Sequence, residues 1–526
     1  MLKPIRRAAW LAAIILVATQ ACNYPGLRRR PASSLDSEAL RQTMAAPSLT
    51  AIPGGTAAAI PNPLATETAP AGTAVPTAVG ALPSQNAPAP TVQLPAGDFY
   101  QYTTRSGDDL TGLAGRFGVS PEEILLPEGV STQGLLPPGA SVWIPKRLEV
   151  PAYGGLLPDS ELVYSPTSID FDVASFVQQA GGYLSRYGEE VDGTLLNGAV
   201  VIQRVADDLS VNPRLLLAFL EYRAGWVYGE PSGARQIDYP IGFVAAGRKG
   251  LYQEIHITAT QLNQAYYGWR QGTFTAIKYR QITSARLDPG LNAGSAALQH
   301  LFAIFYEQPV WQEALYGVEG FMALYQRMFG DPWARDGALG PLLPVGSSQP
   351  LLELPFVRGE RWSMTAGPHP AWNTGTPRGA LDFAPVTGEP PCSISRVWGT
   401  AAAPGIIARS GGNVVVLDLD GDGREQTGWV LLYYHLAGEL APAGLVVEVD
   451  HPLGHPSCEG GRSTGTHMHI ARKYNGEWLA ADSPLPFVLS GWQAHADARN
   501  YYGTLTKGDQ VVSANINGAR TSIIVR

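Results

Sequence analysis

Residues 42–97 set the first limit on what this chain can fold into. Glu67 is the only charged residue between Arg41 and Asp98, and Ala, Thr and Pro dominate the rest of the segment. A chain of this composition cannot bury enough apolar surface to offset the entropy lost on folding. We therefore expect a disordered Ala/Thr/Pro-rich tether over residues 22–97, with the folded domains after it.

The rest of the chain has the length and composition of a multidomain globular protein. Its 526 residues correspond to roughly three or four domains of ordinary size, and 45% of them are hydrophobic. The net charge is −8, from 37 basic and 45 acidic residues. Such a balance provides no cationic surface for a phosphate backbone, so we exclude nucleic acid as a partner.

The N-terminus carries the pattern of an export signal. Basic residues precede an uncharged apolar run over residues 8–18, and Ala21 lies directly before Cys22. This layout predicts a signal peptide over residues 1–21. Its similarity to lipoprotein signals implies that Cys22 is acylated and attaches the chain to a membrane. The alternative is an uncleaved anchor, because the uncharged stretch is about as long as a membrane span. In both cases we expect the bulk of the chain outside the cytoplasm, in the cell envelope.

The cysteines exclude one class of metal site. The three cysteines, Cys22, Cys392 and Cys458, contain no CxxC pair, so a structural zinc site built from thiolates is not expected. Outside the cytoplasm, Cys392 and Cys458 could oxidise to one disulfide.

Residues 98–148 have the pattern of a small mixed domain. The segment FYQYTTRSGDDL predicts a strand followed by a turn, and LAGRFGVSPEEILL predicts helix. The segment GLLPPGASVWIP predicts a turn that leads into a second strand. These motifs resemble a LysM module, whose family has a β-α-α-β fold and binds glycans that contain N-acetylglucosamine, such as peptidoglycan. The resemblance implies glycan binding, and the alternative is a purely structural role.

Residues 155–338 read as an α-helical middle domain. Several segments carry apolar residues at three-to-four spacing, among them DVASFVQQAGGYLSRYG and NPRLLLAFLEYRAGW. The latter, with GLYQEIHITATQLN downstream, resembles the lysozyme-like fold of lytic transglycosylases. In that register the family's catalytic Glu falls on Arg223, and Glu221 lies about 200° away around the helix. We expect a non-catalytic domain. The alternative is a lytic glycosidase with Glu221 as its general acid.

Histidines concentrate in the last third of the chain, where we therefore look for metal or acid-base chemistry. Of nine histidines, seven lie at or after His369. The segment His467-Met468-His469 lies in a β-rich context, so we expect a strand that places both rings on one face. One ring could bind a metal while the other moves protons.

Three motifs in this region suggest a family. The segments GPHPAWNTGTPRGALDF, WVLLYYHL and SCEGGRSTGTHMHIARKYNGEW resemble the lysostaphin-type (LytM) zinc endopeptidases, and most closely their staphylolysin or beta-lytic branch. The resemblance covers residues 354–486, about a quarter of the chain. It implies a β-rich zinc peptidase domain with an antiparallel sheet over residues 349–526.

The resemblance also implies a set of site residues. In the commoner branch the first ligands form a His-x-x-x-Asp motif, and Arg378 stands in place of that His. In the staphylolysin branch the His lies earlier, in a Gly-x-His segment, which matches His369. The implied zinc ligands are His369, Asp382 and His469. His435 and His467 would lie beside the zinc ion (Zn²⁺) and move protons, with His467 as the general base.

Two smaller features complete the predictions. Asp418, Asp420 and Asp422 begin like a calcium loop, but Trp429 replaces the Glu at position twelve. We expect a charged hairpin turn there. A Cys at the place of Cys458 is disulfide-bonded in the staphylolysin branch, to a partner nearer the central strands than Cys392.

Together these features predict an exported cell-wall hydrolase, a zinc endopeptidase that cleaves peptide cross-links of peptidoglycan. Its partners would be peptidoglycan and, through Cys22, the membrane. The rival function is that of a non-catalytic glycan-binding or regulatory protein of the cell envelope.

Overall fold

The computed structural model describes residues 97–150 and 153–526. The predicted signal peptide, Cys22 and the predicted tether up to Ala96 lie outside this described part. Among the helices it contains, none combines the length and apolar character needed to cross a membrane.

The first described domain follows the predicted β-α-α-β order with one correction. Its elements are β1 (Phe99–Thr103), α1 (Leu110–Phe117), a 3-10 turn (Pro121–Glu123) and β2 (Ser141–Pro145). The strands pair antiparallel. The second helix is therefore only a single 3-10 turn, which begins at Pro121 and ends before Ile124. Ile124 is extended and buried among the strands' apolar side chains.

The second domain is mainly helical, as predicted. Its helices are α2 (Asp159–Leu162), α3 (Val173–Ala180), α4 (Gly198–Leu209), α5 (Pro213–Ala224), α6 (Ala234–Asp238), α7 (Leu251–Arg270), α8 (Ala293–Phe305), α9 (Gln308–Tyr316), α10 (Phe321–Phe329) and α11 (Pro332–Leu339). Two 3-10 turns (Pro166–Ser168, Tyr183–Arg186) and two hairpins complete it: β3 (Gly188–Val191) with β4 (Thr194–Asn197), and β5 (Ala276–Tyr279) with β6 (Thr283–Arg286). The hairpins were not predicted.

Local chemistry explains the bounds of α5. The Asn212 side chain accepts a hydrogen bond from the Arg214 N–H, and Pro213 occupies the first helical turn. Both features favour a helix start, because a side-chain cap replaces a missing backbone acceptor and Pro needs none. The helix ends at Gly225, whose φ of 64° is the left-handed conformation that glycine adopts readily.

The third domain is an antiparallel β structure, as predicted. Its strands are β7 (Arg361–Pro370), β8 (Arg378–Pro385), β9 (Gly399–Thr400), β10 (Gly405–Gly411), β11 (Val414–Asp418), β12 (Trp429–Tyr434), β13 (Leu436–Ala437), β14 (Val446–Val447), β15 (Pro452–Pro456), β16 (Met468–Tyr474), β17 (Glu477–Trp478), β18 (Val488–Leu489), β19 (Trp492–Ala496), β20 (Gly503–Lys507), β21 (Gln510–Ser513) and β22 (Ile523–Val525). A 3-10 turn (Arg520–Ser522) precedes β22. The main sheet has the order β14-β10-β11-β12-β16-β8-β7-β22, with β17 paired to β16.

Both faces of this main sheet are covered. On one face the side chains belong to the third domain's own core: Val415, Leu417, Leu431, Tyr433 and Ile470. The alternate residues join the core of the helical domain: Val414, Val416, Val430, Leu432 and Ala471. Antiparallel sheets commonly leave one face to solvent, and their strands then alternate apolar with polar. Here β11 and β12 are apolar except for Asp418 at the end of β11, because the helical domain packs on the second face.

Arg270, at the end of α7, joins all three domains. It forms ion pairs with Asp159 of the helical domain and Glu477 of the third domain, each at 3.1 Å. It also donates to the Ser106 carbonyl of the first domain. This contact holds the three domains against one another.

Candidate active site

Three strands bring the predicted ligands together. His369 lies near the end of β7, Asp382 in β8 and His469 at the start of β16. In the ladder, His469 pairs directly with Asp382. Because side chains alternate along a strand, His469 lies on the same face as Ala471, the face that the helical domain covers.

The ring nitrogens of this trio have defined roles. Backbone carbonyls accept from the far nitrogens: Gly367 O from His369 Nδ1 and Ala371 O from His469 Nε2, both at 2.9 Å. A carbonyl only accepts, so each of these nitrogens carries a proton and the other nitrogen of a neutral ring presents its lone pair. The lone-pair atoms are therefore His369 Nε2 and His469 Nδ1.

These two nitrogens and one carboxylate oxygen form a nearly equilateral triangle. His369 Nε2 lies 3.1 Å from His469 Nδ1, and each nitrogen is 3.2 Å from Asp382 Oδ1. That oxygen is buried and receives no well-formed hydrogen bond from the residues described. When both rings are neutral, these three atoms direct their lone pairs towards one point.

The arrangement fits a tetrahedral zinc ion. With ligand distances of about 2.0–2.1 Å, ligand atoms around tetrahedral zinc are roughly 3.3–3.4 Å apart. Two imidazoles and one carboxylate are also a donor set that zinc prefers, and such a site keeps a fourth position open. The residues that would hold zinc are therefore His369, Asp382 and His469.

The ionised carboxylate among His369, Asp382 and His469 favours the binding of a cation. Burial alone would raise the pKa of Asp382, but the neighbouring His369 and His467 hold it well below its usual value. Burial opposes protonation of His369, yet Asp382 raises its pKa. Burial lowers the pKa of His469. Asp382 therefore stays ionised and supplies the negative charge that a cation needs here.

The predicted proton-transfer residues lie beside this trio. The ring centroids of His435 and His467 are 4.5 Å apart, and His467 Nε2 lies 3.6 Å from Asp382 Oδ2. His435 Nδ1 donates to Glu459 O and His467 Nδ1 donates to Gly465 O, each at 2.8 Å. In the neutral form of each ring, Nε2 then carries the lone pair. Burial, with the nearby His467, lowers the pKa of His435 to about 3, so this ring is neutral near pH 7.

Strand placement was partly wrong for His467. β16 begins at Met468, and His467 forms an isolated antiparallel bridge with Ser457 instead. His435 lies between β12 and β13 with a φ of 63°. This left-handed conformation is unusual outside glycine, and such strain concentrates at functional sites.

Two tyrosines that the sequence reasoning missed hold the rings. Tyr434 stacks on His435 with ring centroids 4.2 Å apart, and Tyr501 stacks on His369 at 4.7 Å. Trp372 packs against Tyr434 at 4.9 Å. The adjacency of Tyr434 and His435 was a usable signal. Nothing in the local sequence linked Tyr501 to a ligand far from it along the chain.

The residues set aside at the sequence level remain outside this site. Arg378, which stands in place of the commoner branch's His, is half-buried and donates to Asp497 O. None of the remaining histidines joins a cluster of potential metal ligands within residues 97–150 and 153–526: His256, His300, His451, His455 and His495.

The helical domain offers no comparable site at Glu221. The Glu221 carboxylate accepts from the backbone N–H groups of Val227 and Tyr228, at 2.8 and 3.2 Å. Arg223 donates to the Ile241 carbonyl and the Tyr306 hydroxyl. Both side chains therefore stabilise the turns around the end of α5.

The acidic loop after β11 forms a second cluster of potential ligands, from Asp418, Asp420 and Asp422. Asp418 is fully buried and accepts from the backbone N–H groups of Asp420, Gly421 and Gly423. This is the charged turn expected from the sequence, closed by its own backbone.

Cys392 and Cys458 form a disulfide. Cys458 lies directly before Glu459, whose backbone carbonyl accepts a hydrogen bond from His435 Nδ1–H. The bridge is thus adjacent to the site.

Comparisons with known proteins agree with this assignment. The family model described as LasA, N-terminal domain, matches residues 155–343, which correspond to the helical domain. Protease LasA of Pseudomonas aeruginosa (strain UCBPP-PA14) is 27% identical over 318 residues, which cover 56% of this chain and 71% of the relative. The beta-lytic metalloendopeptidase of Achromobacter lyticus is 28% identical over 179 residues, which cover 31% of this chain and 45% of the relative.

Among solved structures, the M23 metalloprotease pseudoalterin from the deep sea covers 32% of this chain and 96% of its own, with 22% identity and a TM-score of 0.27. The sequence relatives and the ligand trio carry the assignment. The chain is a zinc-dependent metalloendopeptidase that is similar to protease LasA and to the beta-lytic metalloendopeptidases.

Proposed function

We propose that this protein is a cell-wall hydrolase that cleaves peptide cross-links of peptidoglycan. The observation that carries the proposal is the convergence of His369 Nε2, Asp382 Oδ1 and His469 Nδ1 within 3.1–3.2 Å, beside the imidazoles of His435 and His467. The names Protease LasA and beta-lytic metalloendopeptidase support peptide-bond cleavage. The glycan-binding resemblance of residues 98–148 supports a wall substrate.

The chemistry that zinc supplies at such a site is Lewis acidity, which makes water a nucleophile near neutral pH. The side chains of the protein itself hold and transfer protons. His467 keeps its Nε2 free because Nδ1 donates to Gly465 O. It therefore acts as the general base that takes a proton from the attacking water.

His435 is the second proton carrier. Its Nε2 is also free, and its ring lies next to that of His467. The two rings together can stabilise the charge that develops on the scissile carbonyl oxygen and return a proton to the leaving amine. Their close approach restricts double protonation, so one proton is moved at a time.

The other domains would bring the catalytic domain to its substrate. The LysM-like domain binds glycan strands, and the helical domain is a non-catalytic, lysozyme-like unit. An N-terminal lipid on Cys22 and the tether over residues 22–97 hold the enzyme in the cell envelope, at the outer side of a membrane. A flexible tether of this length spans several nanometres.

The test is digestion of purified peptidoglycan by the full chain, with and without a chelator, followed by mass analysis of the fragments. The proposal expects new amino and carboxyl termini that disappear when the chelator is present and return with added zinc. New reducing or anhydro sugars would instead place the activity in glycan cleavage. A protein that neither holds zinc nor takes it up would be a binding protein, and the proposal would fail.

A further inference from the structure

Both proton-transfer histidines depend on one loop. His435 and His467 lie on different parts of the sheet, yet their Nδ1 atoms donate to carbonyls of the same segment, Glu459 O and Gly465 O, at 2.8 Å each. We call residues 458–466 the acceptor loop. Its carbonyls fix which nitrogen of each ring carries the proton, and so which nitrogen is free to react.

The acceptor loop has no regular structure of its own. It contains no strand, and its tip from Glu459 to Arg462 is exposed. Backbone pairing holds its base, where Ser457 N donates to His435 O at 2.8 Å and His467 N donates to Ser457 O at 3.2 Å. At its tip, the Tyr434 hydroxyl donates to Gly460 O. An exposed segment with few buried contacts gains conformational freedom easily unless something else restrains it.

The disulfide supplies that restraint. Cys458, the first residue of the acceptor loop, is bonded to Cys392. At the other end of the loop, the Thr466 hydroxyl donates to the carbonyl of Ser393, the neighbour of Cys392, at 2.8 Å. Both ends of the loop are therefore fixed to the same segment, residues 392–393.

Ser463 connects the disulfide to the reacting ring. Its hydroxyl oxygen lies 3.3 Å from Cys458 Sγ, 3.3 Å from His467 Nδ1 and 2.8 Å from Gly465 O. A single side chain thus touches the sulfur, the imidazole and the carbonyl to which that imidazole donates.

We propose that the Cys392–Cys458 disulfide is a positioning element for catalysis, which holds the acceptor loop so that His435 and His467 keep their reactive Nε2 atoms free and aimed at the site. This inference rests on the proposed function, since it concerns the same reaction. The zinc ligands do not depend on the loop, because Gly367 O and Ala371 O orient His369 and His469. Loss of the bridge should therefore reduce proton transfer and leave metal binding intact.

The first experiment compares kinetics with metal content. We expect the double variant Cys392→Ser/Cys458→Ser to retain zinc and to lower kcat at least about tenfold, because general acid-base groups contribute about 10²–10⁴-fold when correctly placed. KM should change less than about threefold. The matched control is Cys22→Ser, which removes the third cysteine. A variant that only melts at lower temperature, with kcat per zinc-loaded molecule unchanged, would overturn the proposal.

A second pair of variants covers the case in which the double variant does not fold. Ser463→Ala keeps the disulfide and removes the hydroxyl that joins it to His467. We expect kcat to fall severalfold, with zinc content and KM maintained, and Ser463→Thr to restore it. Equal kcat values for the alanine variant and the original protein would count against the proposal.

The third measurement does not use activity. In the metal-free full chain with ¹⁵N-labelled histidine, the Nδ1–H protons of His435 and His467 should be protected from exchange, and reduction with a phosphine should abolish that protection while sparing His369. Protection that survives reduction would refute the positioning role. If the original protein cleaves no wall peptide, the proposed function fails, and this measurement still decides the role of the disulfide.

Discussion

The peptidase sheet and the helical domain place their buried carboxylates in opposite environments. Asp382 Oδ1 lies between two imidazole lone pairs and receives no well-formed hydrogen bond from any residue described. In the helical domain, one oxygen of Glu254 accepts from three backbone N–H groups, those of Ile241, Gly242 and Phe243. Glu221 accepts from two such groups. In the helical domain each of these carboxylates closes a loop through one oxygen, although Glu254 Oε1 is itself buried without a hydrogen-bond partner. Asp382 Oδ1 differs because it faces two imidazole nitrogens.

The difference separates structural from functional acids. A carboxylate whose nearby donors are its own loop's N–H groups already has its charge stabilised, so it has little need of a ligand. An ionised oxygen surrounded by lone pairs is costly without a cation. The Asp418 loop belongs with the helical domain in this respect, since its buried carboxylate accepts from its own backbone.

Asp382→Asn should have the largest effect, because it replaces the carboxylate that faces the two imidazoles. The amide removes the negative charge and directs N–H groups towards two imidazole lone pairs, so we expect zinc affinity to fall by at least about 100-fold and cleavage to be lost. Metal content after dialysis, measured by elemental mass spectrometry, tests this. The matched control is Asp422→Asn in the other acidic cluster, which should retain zinc. Full zinc in both variants would show that the trio is not the metal site.

His467→Ala should separate metal binding from chemistry. The trio of His369, Asp382 and His469 remains, so we expect one zinc per chain. We expect a kcat about 10²–10⁴-fold lower, because the proposed general base is gone. Kinetics on a wall-derived peptide, normalised to zinc content, provide the measurement. Activity near that of the original protein would assign the base to His435 or to water.

The site was predictable from the sequence because its residues lie in short local motifs. His369, Asp382 and His469 occupy segments whose residue order alone suggested a family, and the structure brings them together. The acceptor loop was not predictable in the same way. Its contribution comes from backbone carbonyls of Glu459 and Gly465, and any residue type provides a carbonyl.

The secondary structure was predictable where the apolar residues recur at a regular spacing. It was not predictable where packing between domains determines which face is buried. The helices α3, α4, α5 and α8 follow their apolar spacing. The strands β11 and β12 are apolar at every position except Asp418 at the end of β11, a pattern that indicates only burial. That the helical domain provides the second covering layer depends on contacts between domains, and no local pattern encodes them.

The interface between the two domains should respond to pH through Asp207. Burial, together with the negative charge of Glu425, raises the pKa of Asp207 to about 7, against the attraction of Arg409. Because its unfolded pKa is near 3.9, the folded protein binds the additional proton between about pH 4 and pH 7. The stability contributed by this proton is present below pH 4 and is lost as pH rises through 7.

Asp207→Asn should remove this dependence. The difference in unfolding free energy between the original protein and the variant should change with pH between 4 and 7 by at most about 1.4 kcal/mol per pH unit, and be flat above. Chemical denaturation at a series of pH values measures it. Parallel stability curves would show that Asp207 is already ionised in the folded state.

Glu221→Gln should have the smallest effect, and it tests whether the Glu221 carboxylate in the helical domain is only structural. The amide oxygen still accepts from Val227 or Tyr228 but without charge, so we expect a loss of about 1 kcal/mol in unfolding free energy. Cleavage of wall peptides should be unchanged, because Glu221 lies at the end of α5 and stabilises only its turn. Glu221→Ala should cost more stability and again leave kcat unchanged. If either variant stopped wall lysis while His467→Ala did not, the reactive carboxylate would belong to the helical domain. Glu221 would then have to release the backbone N–H groups of Val227 and Tyr228 before it could act as an acid.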